Sequence, residues 1–132
     1  MEEITTLSTK IVYKNKWMCV KEDAIMQKNG KNGIYGIIEK PDFAVIVPIE
    51  NESIYLVEQY RYPVKDRYWE FPQGSWENAK IEPIDLARAE LKEETGLIAD
   101  EMTYVGSLFS AYAYSAQRYN IFIARGLHQE EN

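Results

Sequence analysis

The chain has 132 residues, 45% of them hydrophobic and 27% charged, which is the make-up of one globular domain and not of a disordered segment. Acidic residues outnumber basic ones 21 to 15, and the net charge of -6 speaks against nucleic acid or an anionic membrane surface as partner. A single cysteine, Cys19, permits no internal disulfide, and a single histidine near the end, His128, argues against histidine-ligated zinc and Ser-His hydrolysis, so enzymatic chemistry here falls mainly to carboxylates, arginines and oxygen-held metal. The opening Met-Glu-Glu-Ile lacks the basic and apolar regions of a signal peptide, and no apolar run is long enough for a membrane span; a cytoplasmic location is expected.

In chain order, the first clear signal is Lys28-Asn29-Gly30-Lys31-Asn32-Gly33, with Asn-Gly twice, which predicts a hairpin between arms at Trp17 to Gln27 and Ile34 to Glu39. Phe43 to Ile49 is an apolar run of strand length; Glu50 to Ser53 turns the chain and Ile54 to Tyr60 returns. A short strand, Tyr68 to Phe71, stops at Pro72 and Gly74. Pro83 suits a first helical turn, Ile84, Ala87 and Leu91 recur at helical spacing, and Gly96 ends the helix. Two strands follow, Tyr104 to Phe109 and Tyr119 to Ala124, and the polar residues 128–132 read as a frayed tail. The class is α+β, with many strands around one strong helix.

That helix carries the chemistry. Glu90, Glu93 and Glu94 stand at i, i+3 and i+4 and share one arc of the surface. Like charges at these spacings cost about 0.2–0.5 kcal/mol per pair. They also crowd the helix end where the dipole disfavours negative charge. No Lys or Arg stands three or four residues from any of them, and Arg88 is better spaced for Asp85. A hard divalent cation held by carboxylate oxygens resolves the repulsion. Gly74, in the loop before the helix, lets bare backbone approach a metal or phosphate.

Phe71-Pro72-Gln73-Gly74 followed by Glu90-Leu91-Lys92-Glu93-Glu94-Thr95-Gly96-Leu97 resembles the signature of the Nudix hydrolases: Gly, five residues, Glu, seven residues, then Arg-Glu-aliphatic-X-Glu-Glu-X-Gly-aliphatic. The second half matches without a gap. The loop Ser75 to Ile81 carries one extra residue, so the first signature Glu falls on Ile81 or, by local shift, on Glu82, and Ala89 stands where the pattern has Arg. Asn15-Lys16-Trp17, the Asn-Gly hairpin, Glu58 to Pro63, Trp69 to Pro72 and Arg118 to Leu127 extend the likeness toward the ADP-ribose pyrophosphatase branch.

The resemblance implies a Nudix fold: a mixed β-sheet sandwich with one catalytic helix and an N-terminal β-hairpin, here without the usual C-terminal helix. It implies one domain over 1–132, with strands over 1–40 that form a homodimer, a core over 41–127 and a tail over 128–132. It implies Mg2+, with Mn2+ as substitute, held by Glu90, Glu94, Glu93 and the Gln73 carbonyl. Glu93 and Glu90 are the expected catalytic carboxylates. Arg61 would contact phosphate or the terminal ribose, and Trp17 and Tyr35 would stack adenine. Gln117, where the family often has Glu, would orient water or substrate. Tyr112 would line the substrate site, and with Tyr114 it keeps a dinucleoside polyphosphate substrate open. The expected reaction is hydrolysis of the pyrophosphate of ADP-ribose or another ADP-sugar to AMP and a sugar phosphate. A non-catalytic nucleotide sensor is the alternative of a different kind.

Overall fold

The computed structural model describes residues 3–76 and 80–130. Residues 77–79 of the loop with the extra residue lie outside them. Two compact units are present: Met1–Lys40 with Phe109–Gln117, and Pro41–Leu108 with Arg118–Asn132. The segment 109–117, expected in the core, thus belongs with the N-terminal strands.

In the first unit, β1 (Ile4–Lys14), β2 (Cys19–Gln27) and β3 (Asn32–Glu39) form an antiparallel sheet in that order. The β2–β3 register runs from Cys19 opposite Glu39 to Met26 opposite Asn32. The first Asn-Gly makes the turn: Gly30 is left-handed at φ 84°, and its N–H donates to the Gln27 carbonyl at 2.8 Å. The second Asn-Gly lies inside β3, so that arm begins two residues earlier than expected. β1 falls in the 1–40 stretch where the family resemblance implies strands, but no local pattern in the sequence marks its ends. It is exposed along all 11 residues, with two bulges in its pairing to β2. The 109–117 segment adds to the other side, where the Ile38 N–H donates to the Tyr114 carbonyl at 2.9 Å.

In the second unit, β4 (Phe43–Glu50), β5 (Ser53–Ile54), β9 (Leu97–Phe109, to Leu108 in this unit) and β10 (Arg118–Gln129) make a mixed sheet in the order β5-β4-β10-β9. β4 and β10 are parallel, and β8 (Gln73–Gly74) pairs antiparallel with β4. β6 (Val57–Arg61) and β7 (Asp66–Glu70) form a separate ribbon, joined by a 3-10 turn over Tyr62–Val64. The expected return strand is therefore broken at Tyr55-Leu56. The one α-helix among the described residues, α1 (Pro83–Thr95), starts on Pro83 and stops at Gly96, which takes the left-handed conformation (φ 75°) that a side chain resists.

The buried core of this unit runs from Ala44 and Ile46 on β4 through Leu86, Ala87 and Leu91 on α1 to Leu97, Ala99, Met102, Phe122 and Ala124 on β9 and β10. Each large side chain removed from water there contributes about 1.5–3 kcal/mol. Burying Leu86, Ala87 and Leu91 fixes the rotation of α1 and hence the direction of its carboxylates. Two local expectations are corrected. Arg88 does not pair with Asp85; its Nη1 donates to the Ala99 carbonyl at 2.8 Å, tying α1 to the start of β9. The tail does not begin at 128, because β10 runs to Gln129 and its end is held by a hydrogen bond between the His128 ring and Asp100 (3.1 Å) and an ion pair of Glu130 with Lys92 (2.7 Å).

Candidate active site

The last two turns of α1 lie against β8, and there Glu90 is buried, with 7% of its surface exposed. Gly74 is required by this approach. A Cβ on it would fall into the Glu90 carboxylate, 2.7 Å from Oε1 and closer still to the other carboxyl atoms. Burial, and then the charges of Glu93 and Glu94, push the Glu90 carboxyl up to about 7, offset in part by the Trp76 side chain. Burial raises Glu94 as well, against the hydrogen bonds it accepts. Those come from the Gln73 backbone N–H at 3.3 Å and the Gln59 side-chain amide at 3.3 Å. Glu93 is exposed.

Two adjacent carboxylates, both destabilised as anions by lost hydration, form an oxygen donor set suited to a divalent cation. Among the described residues, no three Asp, Glu, His or Cys side chains converge into a complete cage. A cation held by Glu90 and Glu94 would need further oxygens to complete its shell. The candidate shift of the first signature Glu is not favoured. Ile81 packs on the core, and Glu82 is the exposed N-cap of α1, its carbonyl accepting from the Leu86 N–H at 3.0 Å.

Arg61 ends β6 on the same strand face as Gln59. Its Nε and Nη2 donate to the two oxygens of Glu70 at 2.8 and 2.6 Å, a bidentate pair. This pair raises the guanidinium's affinity for its proton, and the Glu94 charge adds to it. Gln73, Glu90, Glu94 and Arg61 are thus gathered within one unit. Gln59 and Glu70 also belong to the group and escaped the sequence reading. The alternation of β6 places Gln59 beside Arg61, but the Glu70 partner depends on how β6 and β7 curl together, which no spacing reveals.

The remaining predicted residues lie in the first unit. Tyr35 and Tyr112 line a cleft of about 380 Å³ with Ile37, Phe109 and Tyr114. The Tyr35 hydroxyl donates to the Ala113 carbonyl at 2.5 Å, and Tyr112 is 82% exposed. Trp17 is 66% exposed and presented by a turn in which Asn15 accepts from the Trp17 and Met18 N–H groups; it is not part of the cleft lining. Gln117 is outside the lining too, and its Oε1 accepts from the Ser110 hydroxyl at 3.1 Å. No helix among the described residues is long and apolar enough to cross a membrane.

Comparison with known proteins shows the family and the fold. The NUDIX domain matches residues 40–131, and the nucleoside diphosphate sugar hydrolase N-terminal domain matches residues 4–38. A methanol dehydrogenase activator of Bacillus methanolicus is 28% identical over 98% of this chain and 70% of its own length. An ADP-ribose pyrophosphatase of Bacillus subtilis (strain 168) is 25% identical, covering 95% of this chain and 68% of that protein; one of Mycobacterium tuberculosis is 27% identical, covering 96% and 62%. The crystal structure of an ADP compounds hydrolase superposes with a TM-score of 0.89 at 24% identity, over all of this chain and 72% of that one, which shows the shared fold. With the signature carboxylates gathered on one helix and the domain match spanning most of the sequence, the chain belongs to the NUDIX family and is a Nudix hydrolase.

Proposed function

We propose that this hydrolase cleaves the pyrophosphate of ADP-ribose or another ADP-sugar, giving AMP and a sugar phosphate, with Mg2+ bound and Mn2+ able to replace it. The observation that carries the reading is the carboxylate pair of Glu90, buried against Gly74, and Glu94, half-buried on the Gln73 N–H. The relatives named as ADP-ribose pyrophosphatases support the substrate class. When bound, the cation offsets pyrophosphate charge and orients water for in-line attack.

In this reading Glu90 and Glu94 hold the cation with the Gln73 carbonyl, and Gln59 fixes the rotamer of Glu94. Glu93, exposed beside them, takes the proton from the attacking water or adds an oxygen to the cation. Arg61 keeps N–H groups beyond those given to Glu70 and uses them on a phosphate. Tyr35, Tyr112 and Trp17 are the aromatic side chains proposed to stack a nucleobase, and Gln117 the hydrogen-bonding side chain proposed for substrate; all four belong to the first unit. A homodimer through the N-terminal strands suits the fully exposed β1, and the setting is cytoplasmic.

The test is a panel of ADP-ribose, ADP-glucose, diadenosine polyphosphates and nucleoside triphosphates with Mg2+, with and without chelator, products resolved by chromatography. Chelator-sensitive release of AMP from an ADP-sugar is expected. A Glu94→Gln variant should lose metal-dependent turnover with its melting temperature unchanged or raised, since it relieves like-charge repulsion. Turnover confined to the diadenosine compounds would replace the substrate assignment. Tight nucleotide binding without turnover would make the chain a sensor.

A further inference from the structure

Arg61 makes an unexpected choice of partner. In the β6–β7 register its direct cross-strand neighbour is Asp66, an acid within easy reach, while Glu70 stands opposite Val57 at the far end of the ribbon. The guanidinium nevertheless runs back along the ribbon to Glu70, and Asp66 accepts from the Arg67 N–H at 2.8 Å instead. Glu70 retains 18% of its side-chain exposure whereas Asp66 is an exposed residue, so the less hydrated acid is the one paired. The fork takes the Nε hydrogen and one on Nη2, which leaves both Nη1 hydrogens and the second on Nη2 along the open edge.

We propose that Glu70 is a positioning residue for Arg61. It holds the guanidinium off the metal-binding carboxylate Glu94 and turns the free edge toward an incoming anionic phosphate. The inference rests on the metal-dependent hydrolysis proposed above.

The physical reason is competition. Glu94 has two neutral donors, Gln59 and the Gln73 N–H, both suited to orienting a carboxylate without neutralising it. Arg61 is close enough for its charge to be felt at Glu94, and it makes no hydrogen bond there; its described partner is Glu70 alone. Released from Glu70, the cation has Glu94 as the adjacent partly buried anion, and a guanidinium seated on that oxygen pair excludes a metal ion. Glu70 thus removes an internal competitor while keeping Arg61 charged and aligned.

The decisive measurement is titration of Mn2+ alone, by calorimetry, into the wild type, Glu70→Gln, Arg61→Ala and the double variant. Steady-state kinetics on ADP-ribose are run alongside. Glu70→Gln should weaken Mn2+ binding about tenfold, the scale of an outer-shell contact to a metal ligand. Arg61→Ala should leave Mn2+ binding no weaker than in the wild type, since it removes a positive charge near Glu94, and the double variant should return to the Arg61→Ala level because the competitor is gone. In the kinetics, Glu70→Gln should raise KM for ADP-ribose in the wild-type background only. Unchanged Mn2+ affinity in Glu70→Gln, or losses that simply add in the double variant, would overturn the proposal. Should Glu70→Gln fail to fold, Glu70→Asp keeps the charge and loses the two-pronged reach. It should weaken Mn2+ binding in the same direction, about threefold, and be rescued by Arg61→Ala; wild-type affinity there would overturn the proposal too. A wild type inert to both Mn2+ and ADP-ribose would overturn the function reading and this inference together, whereas a functional wild type with an indifferent Glu70→Gln overturns the inference alone.

Discussion

The two units of the chain are stabilised in different ways. The second has ten buried hydrophobic residues in one cluster spanning α1 and three strands. The first, among its described residues, has Ile25 as its one buried hydrophobic side chain, although it carries Ile4, Leu7, Ile11, Val12, Tyr13, Trp17, Ile34 and Tyr35 in exposed positions. Its strands are held by ladder hydrogen bonds and turn chemistry more than by a core. A sheet with so much uncovered apolar surface gains from being covered, whereas the second unit holds its carboxylates in place with its own packing.

The largest expected effect breaks the second unit. Leu91 is 1% exposed, and Leu91→Ala should cost about 2–5 kcal/mol in denaturant unfolding. The matching change in the first unit, Ile11→Ser on exposed β1, should stay within about 0.5 kcal/mol for dilute protein. It should weaken self-association measured by sedimentation, if β1 is the surface that a second copy covers. A loss of several kcal/mol at Ile11 in dilute protein would remove the contrast.

Next in size is Gly74→Ala, which forces either β8 or the Glu90 carboxylate to move. About 1–3 kcal/mol of stability should go, with a larger proportional loss of turnover, since the displaced group is the buried member of the carboxylate pair. Equal stability and activity would mean that β8 yields freely and does not help define the site.

A last effect is one of pH. The Glu90 carboxyl has its ordinary value of 4.5 in the unfolded chain and about 7 in the folded protein. Between those values the folded form binds the extra proton, so stability is fully present below pH 4.5 and is lost as pH rises through about 7. In chelator-treated protein the melting temperature should therefore carry a downward component over this range. Glu90→Gln should remove that component, and saturating Mn2+ should reduce it. Identical pH profiles for wild type and Glu90→Gln would show that Glu90 is hydrated in solution.

The same contrast explains what the sequence made legible. The helix from Pro83 to Gly96 and its carboxylates could be read because one period, one start and one stop sit within a short stretch. The β2–β3 hairpin was legible from Asn29-Gly30 for the same local reason. β1 was not, because both its faces are exposed and its polar and apolar residues follow no burial pattern. The true lengths of β9 and β10 were hidden as well, since what extends them is each other and the side-chain contacts of Asp100 and Lys92, partners far away in sequence. At the site, Glu90 and Glu94 were readable from spacing; Gln59 and Glu70 needed the ribbon and the helix brought together.

The parallel pairing of β4 with β10 has a kinetic consequence. Phe43 lies beside Tyr119, and the Arg118 N–H reaches Asp42 across 76 residues of chain. Such a ladder demands a long loop closure before it returns any contact, which slows folding. On the ribosome β4 waits, unpaired on that edge, until β10 has been synthesised. During that interval an apolar strand, Phe43 to Ile49, is open to the wrong neighbour, and a shortage of chaperone should reduce the yield of active enzyme before it alters the finished molecule.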